Sequence, residues 1–185
     1  MYPRFLECTQ CGDRLSFPDT DRAYYLGESN TPDCVADEEY FRMLLIPIWC
    51  FDCEAPSWAE DIPEVSYLES QALCVKAGKV IEYPFYNEFM SAGESITLIK
   101  HYMKLSLCRS NHKRCVLCEG DNIEVLAGSP TKLKHEHCDY GVYKPVYTVS
   151  SQNSDMKTTL YNLDGHKIGR LSCWDDTKKA WLSSA

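Results

Sequence analysis

Four short motifs, each with two potential metal ligands three positions apart, constrain this chain more than any other feature. Three are Cys-x-x-Cys pairs and one is a His-x-x-Cys pair; in chain order they are Cys8–Cys11, Cys50–Cys53, Cys115–Cys118 and His135–Cys138. Two such pairs supply the four donors of a tetrahedral zinc site and fasten segments that are far apart in sequence. The pattern therefore predicts two structural zinc ions (Zn²⁺).

We expect pairs that are neighbours along the chain to share an ion. The first zinc site then has the ligands Cys8, Cys11, Cys50 and Cys53, and the second has Cys115, Cys118, His135 and Cys138. Protein fills all four positions of each site, which is typical of structural and not of catalytic zinc. A redox motif of the thioredoxin type is the rival for a single pair, but the helix and βαβ context that it needs are not found in the sequence.

The fourth ligand of the second site has three candidates. His135 is favoured, since its three-residue step to Cys138 matches the other pairs, whereas His137 is adjacent to that cysteine and adjacent ligands are harder to aim at one ion. Cys108, at the expected end of a helix, is the third candidate. With any of the three, the site is closed and structural.

Composition is that of an ordinary globular protein, with 44% hydrophobic and 25% charged residues in a chain of 185. The longest apolar run, Met43 to Phe51, is less than half the length of a membrane span, and no signal-peptide pattern follows the first residues. We therefore expect a cytoplasmic protein without membrane segments. In that compartment the 11 cysteines stay reduced, which favours metal binding over disulfides.

The formal net charge of −8 bears on possible partners. Binding to nucleic acid through counterion release needs a basic face, so nucleic acid is disfavoured, and a basic protein partner suits the charge better. A local basic patch is the exception; its members are Arg109, His112, Lys113, Arg114, Lys132 and Lys134. No phosphate-binding glycine loop, nucleophile elbow or His-Glu-x-x-His motif is present, so we expect no enzyme.

Periodicity predicts two helices between the metal-ligand motifs. The first starts with a capping pattern at Asp61 and Glu64 and ends at Gly78. The second runs from Glu94 or Ser95 to about Leu107, with one apolar side that comprises Ile96, Ile99, Met103 and Leu107. Residues 18–37 are expected to form a long surface excursion with one possible strand.

Short apolar segments separated by turn residues predict an antiparallel sheet in the last third of the chain. The expected strands are Ile123–Leu126, Leu133–His135, Val142–Val149, Thr158–Tyr161 and Lys167–Leu171, with a hairpin turn at residues 163–165. The fold class is therefore α+β, with two small zinc-ribbon-like modules, two helices between them and a C-terminal antiparallel β-sheet. We expect two domains, a zinc-ribbon module with a long insertion and two helices at 1–107 and a second zinc-binding module at 108–185, which are able to pack as one.

One part of the chain resembles a known group of proteins. The run Arg114-Cys115-Val116-Leu117-Cys118, followed by His135-Glu136-His137-Cys138-Asp139-Tyr140-Gly141, resembles uncharacterised bacterial double zinc-ribbon proteins, in which Cys-x-x-Cys-Gly precedes His-Pro-x-Cys-Gly. The segment Pro47–Cys53 looks like their other knuckle. The chain departs from the pattern at Glu119, where the group tends to glycine, and at Glu136-His137, which replaces a proline step.

Such proteins are similar in organisation to the immunity proteins of secreted antibacterial toxins. The resemblance implies a noncatalytic bacterial protein that neutralises a cognate toxin by direct binding. Because the chain is acidic, we expect the bound part of the toxin to be a basic domain. The alternative function is a zinc-ribbon adaptor that binds nucleic acid through the basic patch.

Overall fold

The computed structural model describes residues 2–79, 81, 84–85, 90–126, 133–147 and 158–184. Within these ranges the chain is mixed α and β, as the sequence predicted. The strands are β1 (Phe5–Cys8), β2 (Arg14–Ser16), β3 (Arg22–Tyr25), β4 (Cys34–Val35), β5 (Tyr40–Arg42), β6 (Leu45–Cys50), β7 (Ala55–Glu60), β8 (Ile123–Val125), β9 (Tyr143–Val146), β10 (Thr159–Tyr161), β11 (Lys167–Asp175) and β12 (Ala180–Ser184). The helices are α1 (Val65–Lys76) and α2 (Ala92–Cys108). Among the described residues, neither helix combines the length and the hydrophobicity that a membrane span requires.

The chain divides into two compact units. The first unit contains Met1–Glu60 and Lys113–Ala185, and the second contains Asp61–His112. This grouping differs from the two consecutive segments, 1–107 and 108–185, that we expected. Its origin is the pairing of strands from both ends of the sequence, which brings residues on either side of the helices into one unit.

The second unit is built on α1 and α2, which pack against each other. The expected capping pattern at Asp61 is wrong: Glu64 is the N-cap of α1 and its side chain caps no backbone group. The end of the helix is as predicted, because Gly78 has a φ of +65° and its N–H donates to the carbonyl of Val75.

Helix α2 begins earlier than expected, at Ala92. Ser91 is its N-cap, and Ser91 and Glu94 form a reciprocal capping box. The buried row contains Ser95, Ile99, Tyr102, Leu105 and Ser106, whereas Leu107 is 72% exposed. Of the predicted apolar face, Ile99 is buried and Ile96 and Met103 are half-buried, so the prediction is wrong only at Leu107. Counting aliphatic residues alone missed the two serines, which occupy core-facing positions of this helix.

In the first unit the largest sheet has six strands in the order β4-β12-β11-β10-β3-β5. Of the expected C-terminal antiparallel sheet, only β10 and β11 belong to this six-stranded sheet, since β8 and β9 lie in other sheets. The strand β12, which was not predicted, pairs antiparallel with β11, and β3 joins β10 in parallel. The turn predicted between β10 and β11 is present, with Gly165 at a φ of +82°. Two of its strands, β3 and β4, lie within residues 18–37, where we expected a long surface excursion with one possible strand.

A buried polar network connects the six-stranded sheet with the strand β7. Glu60, which is only 2% exposed, accepts a hydrogen bond of 2.9 Å from the hydroxyl of Tyr24 and one of 2.8 Å from Nε of Arg114. The guanidinium of Arg114 also donates to the carbonyl of Asp164. A buried carboxylate is tolerated because each of its oxygens has a partner and one partner is a cation.

Two further sheets of the first unit have three strands each, in the orders β2-β1-β9 and β7-β6-β8. Of the expected strands, Ile123–Leu126 and Val142–Val149 are present in shorter form as β8 and β9, whereas residues 133–135 form only an isolated bridge between Lys134 and Val142. Residues 148 and 149 lie outside the described ranges. Strand β7, which was not predicted, completes a hairpin with β6.

Candidate metal centres

The four metal-ligand motifs meet in pairs, but not in the pairs that their order suggests. One group contains Cys8, Cys11, His135 and Cys138, and the other contains Cys50, Cys53, Cys115 and Cys118. In each group the four ligand atoms lie within 4.8 Å of one another. The expected partition, which joined the first motif to the second and the third to the fourth, is therefore wrong. The pairing is nested: first with fourth, second with third.

Strand pairing explains the nested order. Each three-stranded sheet contains a hairpin, and one metal-ligand motif lies at the turn of that hairpin. The third strand of the sheet comes directly after another motif and pairs antiparallel with the first strand of the hairpin. Because β9 pairs with β1, the motif before β9 reaches Cys8; because β8 pairs with β6, the motif before β8 reaches Cys50. We call the sheet β2-β1-β9 with its ligands the Cys₃His module, and the sheet β7-β6-β8 with its ligands the Cys₄ module.

In the Cys₃His module, backbone hydrogen bonds place the first pair of ligands. The N–H of Gly12 donates to the carbonyl of Cys8, which closes a tight turn, and Gly12 has a φ of +75°, in the left-handed region that favours glycine. The N–H of Thr9 donates to the carbonyl of Val142, which ties this turn to the segment that carries the second pair.

Distances between the four ligand atoms suit a single ion. Cys8 Sγ lies 3.9 Å from Cys138 Sγ, and Nδ1 of His135 lies 3.3 Å from Cys11 Sγ and 3.2 Å from Cys138 Sγ. Sulfur ligands arranged tetrahedrally at about 2.3 Å from zinc are separated by about 3.8 Å. The group therefore has the spacing of a metal site.

His135 is the histidine that joins this group. Its Nδ1 faces the sulfurs, and its Nε2 lies 3.7 Å from Oδ2 of Asp13, an oxygen that also accepts a hydrogen bond of 2.9 Å from the hydroxyl of Tyr143. A carboxylate on the second ring nitrogen is the usual means of orienting a metal-bound histidine. Among the described residues, His137 and Cys108 are outside both groups, although the ring of His137 lies edge-on to that of His135 at 5.6 Å.

At one position of this module, glycine is required because a side chain would not fit, and not because of its φ angle. A Cβ atom at Gly141 would lie 2.6 Å from Cys8 Sγ and 2.7 Å from the Cβ of Cys138. Both neighbours are ligands whose positions are set by the backbone. Any side chain at this position would therefore push two ligands apart.

In the Cys₄ module, Cys50 Sγ lies 3.5 Å from Cys118 Sγ, and Cys53 Sγ lies 3.9 Å from Cys115 Sγ. Cys50 and Cys115 are fully buried and belong to a hydrophobic cluster with Ile48 and Ala59. The hydroxyl of Ser57 lies 3.5 Å from Cys115 Sγ. This site is thus embedded in the core of its sheet.

The residue after each Cys-x-x-Cys pair adopts a left-handed backbone conformation. In the Cys₃His module this residue is Gly12, but in the Cys₄ module the positions hold Glu54, with a φ of +50°, and Glu119, with a φ of +62°. Such a φ is unfavourable for a residue with a Cβ atom. The Cys₄ module therefore carries backbone strain at both of its turns.

The surroundings shift the pKa values of the thiols in opposite directions. Burial raises the pKa of Cys8, but hydrogen bonds from the backbone N–H groups of Cys11 and Gln10 outweigh it and lower the pKa to about 6. Burial and the neighbouring thiols Cys11 and Cys8 raise the pKa of Cys138 to about 12. Sulfurs at this spacing disfavour one another's ionisation, and a divalent cation would relieve that repulsion.

In the Cys₄ module, too, the pKa values of the thiols are shifted in opposite directions. Burial raises the pKa of Cys115, but the Ser57 hydroxyl and nearby backbone N–H groups produce a net lowering, whereas burial and its thiol neighbours raise the pKa of Cys53. Seven cysteines and one histidine are soft or borderline donors that suit zinc and disfavour the oxygen-seeking ions calcium and magnesium. Both groups could thus hold a metal ion with four protein ligands.

Sequence reasoning named all eight of these residues but missed those that support them. Asp13 and Ser57, which lie against His135 and Cys115, stand in no recognisable motif. Gly141 appeared only as the last residue of a motif, and nothing in the sequence indicates that a Cβ atom at this position would clash with a ligand sulfur. Comparison of the chain with protein-family models, with curated proteins and with solved structures finds no match. The resemblance to bacterial double zinc-ribbon proteins therefore stays a prediction.

Proposed function

We propose that this chain is a noncatalytic protein that is stabilised by two zinc ions and acts by binding another protein. The observation that carries the proposal is the closure of both metal groups: each provides four protein ligands at mutual distances below 4.8 Å. Four protein ligands complete the tetrahedral shell of zinc, so substrate or water has no coordination position. The ions then act as fasteners of the two modules, and function resides on the surface that the modules hold in place.

The partner that we propose is a basic bacterial toxin domain, which this chain neutralises by direct binding in the cytoplasm. Two considerations support it. The net charge of −8 attracts a basic partner and accelerates its association, and the resemblance of the second, third and fourth motifs points towards immunity proteins. The chain would act stoichiometrically by covering the toxin's active surface.

Coexpression tests this proposal. Candidate toxins encoded beside the gene are expressed with and without this chain, and survival and co-purification are measured. We expect one toxin to be lethal alone, tolerated in the presence of this chain and recovered with it at a 1:1 ratio. If every neighbouring toxin is equally lethal with and without this chain, the immunity assignment is wrong.

The nucleic-acid alternative is weakened by the position of Arg114. This side chain is 15% exposed and pairs with the buried carboxylate of Glu60, so it contributes to folding and is poorly placed to contact phosphate. Of the remaining basic-patch residues, Lys132 lies outside the described ranges. We expect no salt-dependent shift of RNA or DNA in an electrophoretic assay, and a shift that charge reversal at Lys113 abolishes would instead favour the adaptor function.

A further inference from the structure

A cleft of about 660 Å³ lies in the first unit, between the two metal modules. The Cys₄ module contributes Trp49, Phe51 and Glu54 from its β6–β7 hairpin, and the Cys₃His module contributes the remaining wall, including Asp13 and His137. The volume is in the range of pockets that bind a small molecule or a large side chain.

The floor of the cleft is aromatic and apolar. Trp49, Leu15 and Leu133 are half-buried and pack against a core cluster that includes Tyr143. Phe51 stands at the rim, 45% exposed, immediately after the ligand Cys50. An exposed phenylalanine beside a half-buried tryptophan leaves ring surface available for a ligand.

The rim of the cleft is acidic. Among the described residues that line the cleft, three carboxylates, those of Asp13, Glu54 and Glu136, outnumber one ammonium group, that of Lys134. Within the described part of the chain, the carboxylates of Glu54 and Glu136 have no ion-pair or hydrogen-bond partner. With a zinc ion in each module, seven thiolates against two divalent ions leave three further negative charges beside the cleft.

We propose that this cleft receives an arginine side chain of the partner protein. The proposal rests on the function proposed above and names the surface through which it operates. A guanidinium is planar, stacks on aromatic faces and donates to two carboxylate oxygens at once, so it matches both the floor and the rim. A lysine would satisfy the charge but not the flat aromatic floor. A nucleotide could stack its neutral base on that floor, but its phosphate would be repelled by the acidic rim.

A peptide titration tests the proposal on the zinc-loaded full chain. The probe is a tetra-arginine peptide with blocked ends, and the control probe is the same peptide with citrulline, which keeps the shape and removes the charge. We expect tetra-arginine to shift the indole N–H signal of Trp49 in nuclear magnetic resonance spectra saturably. Citrulline should cause less than a tenth of that shift at equal concentration.

Matched variants separate the cleft from the general acidity of the protein. Glu54→Gln with Glu136→Gln removes two charges at the rim, and Glu28→Gln with Glu38→Gln removes two exposed charges elsewhere in the same unit. We expect the rim variant to weaken tetra-arginine binding about tenfold and the control less than twofold. Phe51→Ala, which truncates an exposed ring, should weaken it about fivefold. Zinc content and the urea midpoint show that each variant is folded.

Several outcomes would overturn the proposal. They are an absence of binding, equal losses in the two charge variants, or tighter binding of an oligothymidine strand that Phe51→Ala abolishes. Neutralisation assays with the same variants keep this inference distinct from the proposed function. A toxin that is neutralised equally by the wild type and the rim variant removes the cleft assignment alone. Specific tetra-arginine binding without any neutralised toxin removes the immunity function alone.

Discussion

The Cys₃His and Cys₄ modules have the same strand order and antiparallel pairing but differ in how their ligands are supported. In the Cys₄ module two ligand cysteines are buried in a hydrophobic cluster, whereas in the Cys₃His module only Cys8 is buried and Cys11 is exposed. The Cys₄ module thus relies mainly on apolar packing. The Cys₃His module combines a hydrophobic cluster around Cys8 with polar contacts, above all those of Asp13 with His135 and with Tyr143.

The modules also differ in the length of chain that they enclose. The Cys₄ module joins motifs separated by 62 residues between Cys53 and Cys115, and the Cys₃His module joins motifs separated by 124 residues between Cys11 and His135. The longer loop contains the whole of the shorter one. Once the Cys₄ module has formed, the loop that the Cys₃His module must close is effectively shorter, and its closure costs less chain entropy. We therefore expect the Cys₄ module to form first.

The largest expected effect separates nested from sequential pairing. Cys50→Ser with Cys115→Ser removes two ligands of one module, and zinc content measured by mass spectrometry should fall from about two ions to about one per chain. Cys8→Ser with Cys50→Ser damages both modules and should leave almost none. Because each structural zinc contributes on the order of 10 kcal/mol to folding, each affected module should unfold.

Sequential pairing would give the reverse result, with almost no zinc in the first variant and about one ion in the second. If loss of the Cys₄ module also unfolds the Cys₃His module, zinc content does not distinguish nested from sequential pairing. Nuclear magnetic resonance of the wild type with cadmium-113 in place of zinc then distinguishes them. Each cadmium signal should then couple to the β protons of its own cysteines. Coupling of one ion to both Cys11 and Cys53 would contradict the nested order.

An intermediate effect is expected from Gly141→Ala, which acts on one module only. The added Cβ would lie 2.6 Å from Cys8 Sγ, so the zinc affinity of the Cys₃His module should fall about 10–100-fold, as after loss of a supporting contact. Competition with a chelator measures the affinity of each site. Gly93→Ala is the control, since a Cβ there meets no atom closer than 3.8 Å. Equal affinities in the two variants would show that the ligands can adjust.

The smallest effect concerns the backbone strain that distinguishes the modules. Glu54→Gly removes the strain of a left-handed backbone conformation in the Cys₄ module. The free energy of unfolding of the variant should rise by ~0.5–1 kcal/mol, since the strain removed exceeds the cost of the larger entropy that glycine gives the unfolded chain. Gly12→Ala imposes the same strain on the Cys₃His module and should cost ~1 kcal/mol. Urea denaturation at fixed zinc concentration measures both. A loss of stability in Glu54→Gly would mean that this side chain contributes more than its strain costs.

Local patterns predicted well those features that depend on a few neighbouring residues. The two helices, the turn at Gly165 and most of β8 to β11 follow from periodicity and turn residues. Errors arose where a distant contact overrides the pattern. The start of α1 at Val65 is one such case, since the N–H of Ile62 donates to the carbonyl of His112. The error in α2 has another cause: Ser95 and Ser106 are buried, and a pattern based on aliphatic residues passes over small polar side chains.

The sequence by itself determined which residues can bind metal, since cysteine and histidine three positions apart at a turn are rarely explained otherwise. Their assignment to two ions was decided only by the tertiary structure. Any two of the four motifs contain four donors, so ligand chemistry does not distinguish the possible partitions. The pairing of β9 with β1 and of β8 with β6 does, because hydrogen-bonded strands place the motifs at their ends within a few ångströms of each other.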